Sequence, residues 1–191
     1  MTSLDDLLAD LTSGDETLAE AASGALAQTG ESALPRLKSL LESPVADHRW
    51  WAVRTLAQFA ALPVEWLTSS LNDPASEVRE AAALALSSHP DEKSVSALIR
   101  ALSDSDSMVG TLAANALGLI GNASVPPLLD AYEGAPLNAQ IHILRALAEI
   151  RDHRAIQLMM KAMDSDSAML NYWAKEGLER LGMNMVYIKP D

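Results

Sequence analysis

Cysteine and histidine, two residue types often used for catalysis and metal binding, are absent or scattered in this chain. Cysteine is absent, which excludes disulfides, thiol catalysis and cysteine-ligated zinc. The four histidines, His48, His89, His142 and His153, form no His-Glu or His-x-x-x-His pair that would put two metal ligands on one face of a helix. We therefore expect no catalytic residue, no metal ion and no cofactor.

Two Asp-Ser tracts resemble cation-binding loops at first sight. They span Asp104 to Ser107 and Asp164 to Ser167, but they lack the glycine and the closing glutamate of an EF-hand. A helical pattern begins directly after each tract, and Asp and Ser are preferred N-cap residues. We interpret both tracts as helix N-caps.

Acidic side chains dominate the charge, with 26 Asp and Glu against 14 Lys and Arg and a formal net charge of −12. Nucleic acid is not an expected partner, because binding phosphates needs clustered cations. The charge instead favours a basic partner, through an attraction that salt would weaken.

The first residues lack the cationic start of a signal peptide, and no apolar run approaches the roughly 20 residues of a membrane span. We expect a cytoplasmic protein without membrane contact.

The elements that carry these side chains come from an internal repeat. Each block has apolar residues spaced for a helix of about two turns, then a polar turn, then a longer helix of roughly 14 residues. One column of the longer helix is always leucine: Leu26, Leu56, Leu86, Leu117, Leu147 and Leu178. The six predicted blocks cover residues 1–30, 31–60, 61–91, 92–121, 122–152 and 153–182.

Small residues and helix-ending residues also recur at fixed positions. Small side chains allow neighbouring long helices to approach closely. They fill two columns: Ala22, Ala52, Ala82, Ala113 and Ala174, then Ala25, Ala85, Ala116, Ala146 and Gly177. Gly30, Gly121 and Gly182 follow the long helices, where a left-handed cap is favoured. Pro35 and Pro126 fall in the first turn of short helices, where the missing N–H costs nothing.

Two blocks show most clearly what the repeat resembles. The runs Asp73 to Leu86 (DPASEVREAAALAL) and Val109 to Gly121 (VGTLAANALGLIG) resemble HEAT repeats, specifically the short HEAT-like class named after the phycobilisome lyases. The patterns of tetratricopeptide and ankyrin repeats do not occur. The resemblance implies an all-α, right-handed α-solenoid of the armadillo/HEAT type over residues 1–182, as a single domain. Residues 183–191 break the repeat, and we expect this tail to cover the open end of the last block, with dimerisation or partner binding as the alternative.

In repeat proteins of this class the long helices line a concave face, and three variable columns point into it. The resemblance implies the following partner-binding residues: Trp50, Trp51, Arg54, Glu80, Leu84, Leu112, Asn115, Ile141, His142, Arg145, Tyr172, Trp173 and Glu176. Three of the four tryptophans belong to this set, although only 4% of the residues are aromatic. Tryptophan, tyrosine and arginine are the residues most enriched at binding hot spots.

Packing between helices is the alternative explanation for Trp50, Trp51 and Trp173. Neighbouring residues on a helix point about 100° apart, so Trp50 and Trp51 cannot both occupy one core column. Trp66 falls on a short helix, away from the other three, and we interpret it as structural.

The leading hypothesis is a non-enzymatic scaffold or adaptor, a monomer or weak dimer, that binds a protein or peptide of basic or mixed apolar-basic character in its concave groove. Four layers of helices at about 10 Å each would separate Trp50 from Trp173 by on the order of 40 Å, too far for one small molecule to bridge. The resemblance leaves a second hypothesis, a subunit of a phycobilin lyase acting on phycobiliproteins. A third is an immunity or regulatory protein that masks a basic target.

Overall fold

The computed structural model describes residues 2–183, and all regular structure in that range is helical. Short and long α-helices alternate along it. The short helices are α1 (Leu4–Leu11), α3 (Leu34–Leu40), α5 (Val64–Ser70), α7 (Val95–Ala101), α9 (Val125–Tyr132) and α11 (Ile156–Ala162). The long helices are α2 (Glu16–Gln28), α4 (Ala46–Leu56), α6 (Ser76–Ser88), α8 (Ser107–Ile120), α10 (Leu137–Ile150) and α12 (Ala168–Arg180). These six pairs follow the six predicted blocks in order.

The helices group into two compact units, Met1–Ser94 and Val95–Asp191, with three helix pairs each. In the first unit each short helix packs against the long helix that follows it, and α4 contacts both α2 and α6. The second unit repeats the scheme, with α10 in contact with both α8 and α12. The predicted helix pairing is confirmed, whereas a single domain over residues 1–182 stays a prediction.

The leucine column forms the centre of the core in both units. Five of its six members are fully buried, and Leu178 is 3% exposed. The first alanine column lies against it and is equally buried. Burying a leucine side chain contributes roughly 2 kcal/mol, and alanine keeps the helix axes close enough for that burial in every layer. The repeated pattern therefore stabilises each layer in the same way.

Polar side chains begin the long helices where the tracts predicted them. Asp106 accepts a hydrogen bond from the amide of Met108, and Ser167 accepts one from the amide of Leu170. Each bond satisfies a backbone donor that the first turn of a helix leaves unpaired. The N-cap interpretation of both Asp-Ser tracts is confirmed.

Glycine follows the long helix in three of the six blocks, as the sequence pattern predicted. Gly30, Gly121 and Gly182 have φ angles of 68°, 78° and 79°, in the left-handed region that glycine adopts without strain. In the fifth block Arg151 occupies the same column at φ 59°. Arg151 is the one non-glycine residue of positive φ among those described, so the fifth block ends its long helix at a steric cost that the other three avoid.

A donor side chain near the start of the long helix holds the turn that precedes it. Arg49, Arg79, Gln140 and Asn171 share one column, and each donates to a backbone carbonyl six to eight residues earlier. The fourth block has Gly110 in this column and lacks such a side chain. The polar turn is thereby fixed to its own helix in four of the six blocks.

Arg49 also joins two neighbouring blocks. Its Nε and Nη2 atoms donate to the two carboxylate oxygens of Asp73 at 2.6 and 2.7 Å, and both side chains are about nine-tenths buried. Burial by itself would raise the pKa of Asp73, but hydrogen bonds from Arg49 and the Ala75 amide outweigh it and leave that pKa lowered. The pair stays ionised and fixes α4 to the turn before α6.

One segment, Ser107–Tyr132, is long and apolar enough by length and composition to cross a membrane, with a mean hydropathy of 1.3. The expectation that no segment would reach that length was therefore wrong. In the structure this stretch is two helices, α8 and α9, separated by a 3-10 turn at Gly121–Ser124. Of its most apolar 18 residues, 44% are buried inside the fold. Core helices of soluble proteins can be equally long and apolar.

The prediction for the C-terminal tail falls outside the described residues, except for Met183. The amide of Met183 donates to the carbonyl of Leu178 at 2.9 Å and closes the last turn of α12.

Candidate functional site

The first group of predicted binding residues meets on α4. The rings of Trp50 and Trp51 make an edge-to-face contact with centroids 4.9 Å apart. The Arg54 guanidinium lies 4.8 and 5.3 Å from the two centroids and forms an ion pair with Glu20 of α2 at 3.1 Å. We name Glu20, Trp50, Trp51 and Arg54 the N-terminal aromatic cluster. Cation–π and ionic contacts hold its rings in one arrangement.

The two tryptophans of this cluster differ in exposure. Trp51 is 4% exposed, whereas Trp50 is half-buried and presents part of its ring to solvent. Trp51 therefore packs inside the fold and supports Trp50, as the packing alternative expected. A direct partner contact stays a prediction for both residues, and the low exposure of Trp51 leaves it less surface for that contact than Trp50 has.

A cavity of about 510 Å³ opens beside the N-terminal aromatic cluster. Trp50 and Trp51 line it on one side. Three carboxylates also line it, Glu16, Asp47 and Glu77, each from the first turn of a different long helix. We name this space the acidic cavity. It combines aromatic surface with negative charge, a combination that suits a cation.

The predicted residues on α6 provide apolar surface. Leu84 is 58% exposed, a high value for leucine, and Glu80 is half-buried one turn earlier on the same helix. This part of the predicted face offers contact area without a charge at its most exposed point.

A second cluster forms in the other unit. Tyr172 and Trp173 of α12 make an edge-to-face contact with centroids 5.2 Å apart, and the Arg145 guanidinium lies 5.4 Å from the Trp173 centroid. Arg145 also donates to the side-chain oxygen of Asn115 on α8 at 3.1 Å. We name Asn115, Arg145, Tyr172 and Trp173 the C-terminal aromatic cluster. Tyr172 is 55% exposed, so the cluster presents an open aromatic surface.

His142 lies close to the C-terminal aromatic cluster and packs against α8. A Cβ atom on Gly110 would stand 2.7 Å from its Nε2, so only glycine leaves room for this imidazole. Among the described residues its Nδ1 is buried with no hydrogen-bond partner. Burial lowers the pKa of His142, and the charge of Arg145 lowers it further. His142 is a neutral packing residue at neutral pH.

The remaining predicted residues are engaged within the fold. Leu112 and Ile141 are half-buried. Glu176 accepts a hydrogen bond from Arg180 at 2.8 Å, and Arg180 also pairs with Glu149. These three residues are half-buried, whereas Leu84 and Tyr172 are exposed.

Trp66 is half-buried on α5, where Lys38 of α3 lies 5.5 Å from its centroid. It belongs to neither aromatic cluster. Across residues 2–183, no group of three His, Cys, Asp or Glu side chains could hold a metal ion.

Comparison with known proteins identifies the family of this chain. The model of HEAT repeats matches residues 64–137, and that of the PBS lyase HEAT-like repeat matches residues 139–165. A protein of Pseudanabaena tenuis, described as an uncharacterized phycocyanin operon protein Z, is 30% identical over 143 residues, or 70% of this chain and 71% of that protein. The chain is a HEAT-repeat protein. It belongs to the class with PBS lyase HEAT-like repeats.

Solved structures similar to this HEAT-repeat protein have the same architecture. The complex of CpcE and CpcF of phycocyanin lyase from a Nostoc species matches with a TM-score of 0.59 and 24% identity, covering 75% of this chain and 96% of that one. A designed armadillo repeat protein in complex with the peptide (KR)4 matches with a TM-score of 0.54 and 18% identity, covering 94% and 99%. At these identities the likeness concerns the fold, and the predicted armadillo/HEAT solenoid class is confirmed.

The repeat columns of this HEAT-repeat protein did not reveal how its aromatic residues are held. The columns placed Glu20 on the predicted concave face, but the three carboxylates of the acidic cavity were absent from the predicted site. The acidic type of these three residues and their positions on first turns were visible in the sequence, but such residues are common at helix N-termini for electrostatic reasons. Only their common placement around Trp50 and Trp51 sets them apart.

Proposed function

We propose that this HEAT-repeat protein is a non-enzymatic scaffold that binds a protein or peptide through the long helices. The observation that supports the proposal is the aromatic surface of Trp50, Tyr172 and Trp173, which an arginine orders in each unit. Rigid aromatic and arginine side chains provide most of the binding energy in many protein interfaces. Exposed Leu84 adds apolar area on α6.

The partner is proposed to be basic or mixed apolar-basic. Residues 1–94 contain 15 acidic and 6 basic side chains, a formal charge of −9 out of the −12 of the whole chain. The designed armadillo protein with a similar fold binds a peptide of alternating lysine and arginine. Complementary charge raises the association rate and disfavours acidic competitors.

Affinity capture with paired variants tests this proposal. A tagged chain captures its partner from extracts of the source organism, and the purified partner is then titrated against wild type and Trp50→Ala/Trp173→Ala. We expect the double variant to bind about tenfold more weakly or worse, because truncating hot-spot aromatics removes buried contact area. Trp66→Ala is the matched control, since it removes an aromatic residue outside both clusters.

Circular dichroism establishes that each variant keeps its helices. Equal affinity of wild type and the double variant for the captured partner would mean that the long-helix face is not the binding surface.

A second candidate function is a subunit of a phycocyanin lyase. It is favoured by the 30% identity to a phycocyanin operon protein and by the fold shared with the CpcE–CpcF complex. In that role the partner would be a phycocyanin subunit or another lyase chain. Co-expression with a phycocyanin subunit, a bilin source and a candidate second chain tests it. Bilin absorbance that persists on denatured phycocyanin only when this chain is present would support the role. If no such absorbance is found with any of the candidate second chains, the role is excluded.

A further inference from the structure

We propose that the acidic cavity binds an arginine side chain presented by the partner. This inference rests on the proposed function and deepens it, since it names the chemical group that one part of the long-helix face recognises. The cavity of about 510 Å³ is roomy enough for a guanidinium and the methylene chain that carries it.

The two tryptophan rings that line the cavity already contact one guanidinium within the fold. Arg54 of the chain itself lies within cation–π distance of both Trp50 and Trp51. Glu20 compensates its charge through the ion pair at 3.1 Å, so Arg54 presents little net repulsion to a second cation. The half-buried ring of Trp50 adds flat surface on which a guanidinium can stack.

The carboxylates of the cavity have no cation of their own. Within residues 2–183, Glu16, Asp47 and Glu77 form no ion pair, and the Ser76 hydroxyl donates only a long hydrogen bond of 3.4 Å to Glu77. They do not converge on one point as metal ligands would. Three full negative charges also exceed the partial positive charges of the helix N-termini beside them. The charge around the cavity is therefore left for an external organic cation.

Arginine fits this arrangement better than lysine does. Its planar guanidinium stacks on aromatic rings and donates two parallel hydrogen bonds to one carboxylate, whereas an ammonium is a compact and strongly hydrated charge. The same unit already contains this fork geometry, between Arg49 and Asp73.

Fluorescently labelled octapeptides provide the test. One alternates arginine and glycine, a second replaces each arginine with citrulline, and a third replaces it with lysine. Citrulline keeps the planar shape and loses the charge. Each peptide is titrated against wild type and against Glu16→Gln/Asp47→Asn/Glu77→Gln. The matched control is Glu31→Gln/Glu42→Gln/Glu92→Gln, which removes the same charge at exposed residues of the same unit that do not line the cavity.

We expect the arginine peptide to bind wild type about tenfold more tightly than the citrulline and lysine peptides. We also expect the cavity variant to lose about tenfold in affinity and the control variant to lose much less. Equal losses in the two variants would mean that general acidity attracts the peptide, and equal binding of the citrulline peptide would remove the charge requirement. Equal binding of the lysine peptide would overturn the choice of arginine.

The captured partner, titrated against the same variants, separates this inference from the proposed function. If the partner is sensitive to Trp50→Ala/Trp173→Ala but not to the cavity variant, the scaffold function stands and the acidic cavity is not its arginine site. If it is sensitive to neither, the proposed function fails as well.

Discussion

At the scale of single residues, Gly110 and Arg151 show how blocks of one repeat diverge. Gly110 replaces the turn-holding donor of its column, and His142 of the next block fills the space that a larger residue would need. Arg151 replaces a helix-ending glycine and keeps the left-handed backbone of that position. At Gly110 a neighbouring side chain fills the free space, whereas at Arg151 the backbone keeps a conformation that is strained for a residue with a Cβ atom.

Arg151→Gly should stabilise the protein by about 1 kcal/mol, because glycine adopts φ near 60° without the steric cost of a Cβ atom. The free energy of unfolding from urea titration measures the gain. Arg151→Ala is the control, since it removes the exposed side chain and keeps the strained backbone. A gain as large in the alanine variant would show that the side chain, and not the φ angle, is unfavourable.

His142 should make the second unit sensitive to mild acid. Its pKa is lowered in the folded state, so the unfolded chain binds a proton more readily. Above the unfolded pKa of about 6.5 this imidazole is uncharged in both states and does not change the free energy of unfolding. Below that pH the free energy of unfolding falls as the pH decreases towards the folded pKa. Urea midpoints at pH near 7.5 and 5.5 should differ more in wild type than in His142→Leu, which carries the residue that Leu112 has in the same column.

The other three histidines remain in both proteins, so the difference between them isolates His142. An equal pH dependence would mean that His142 is protonated without cost in the fold.

At the scale of elements, two similar arginine–aspartate pairs differ in burial and in what they connect. Asp73 accepts two bonds from Arg49 and caps the Ala75 amide inside the fold. Asp152 accepts the same set from Arg154 and its amide, which lowers the pKa of Asp152 to about 2, but half of the Arg154 side chain is exposed. The first pair connects two blocks, and the second stays within one turn.

Asp73→Ala should cost about 3 kcal/mol of unfolding free energy, because it leaves the guanidinium of Arg49 buried without its partner. Asp152→Ala should cost about 1 kcal/mol or less, because water replaces the carboxylate at an exposed arginine. Urea titrations of both variants at neutral pH measure the difference. Similar costs would mean that the Arg49 side chain reaches solvent when Asp73 is removed.

At the scale of the whole molecule, negative charge is concentrated in residues 1–94, whereas residues 95–191 are closer to balance at −3. The aromatic clusters occur in both units. A partner with basic residues for the first unit and apolar residues for the second would match this distribution, in line with the mixed apolar-basic character proposed above.

The proposed binding of a basic peptide, measured with (KR)4 as the probe, should weaken by about tenfold or more when salt rises from about 50 to 500 mM, because ions screen the attraction between opposite charges. Fluorescence anisotropy at several salt concentrations measures it, and the association rate should carry most of the change. The control variant with three exposed glutamines should show a shallower salt dependence than wild type. An affinity that is independent of salt would indicate recognition by apolar contacts alone.

The sequence by itself determined the helices, their pairing and the core of this protein. A period of about thirty residues places leucine and alanine in columns, and helix geometry then allows only one face of each helix to be buried. The caps, the glycine ends and the HEAT-repeat class followed from the same columns. These features depend on local spacing, which a linear pattern records.

Tertiary structure alone decided how the predicted binding residues are used. Trp50 and Trp51 are adjacent in sequence and equal in type, yet one is half-buried and the other lies inside the fold. Arg54 forms an ion pair with Glu20, and Arg145 donates a hydrogen bond to Asn115, each about thirty residues away in the chain. The acidic cavity likewise collects its carboxylates from three helices. Such contacts depend on side-chain directions and on distances between blocks, and residue spacing within one helix contains neither.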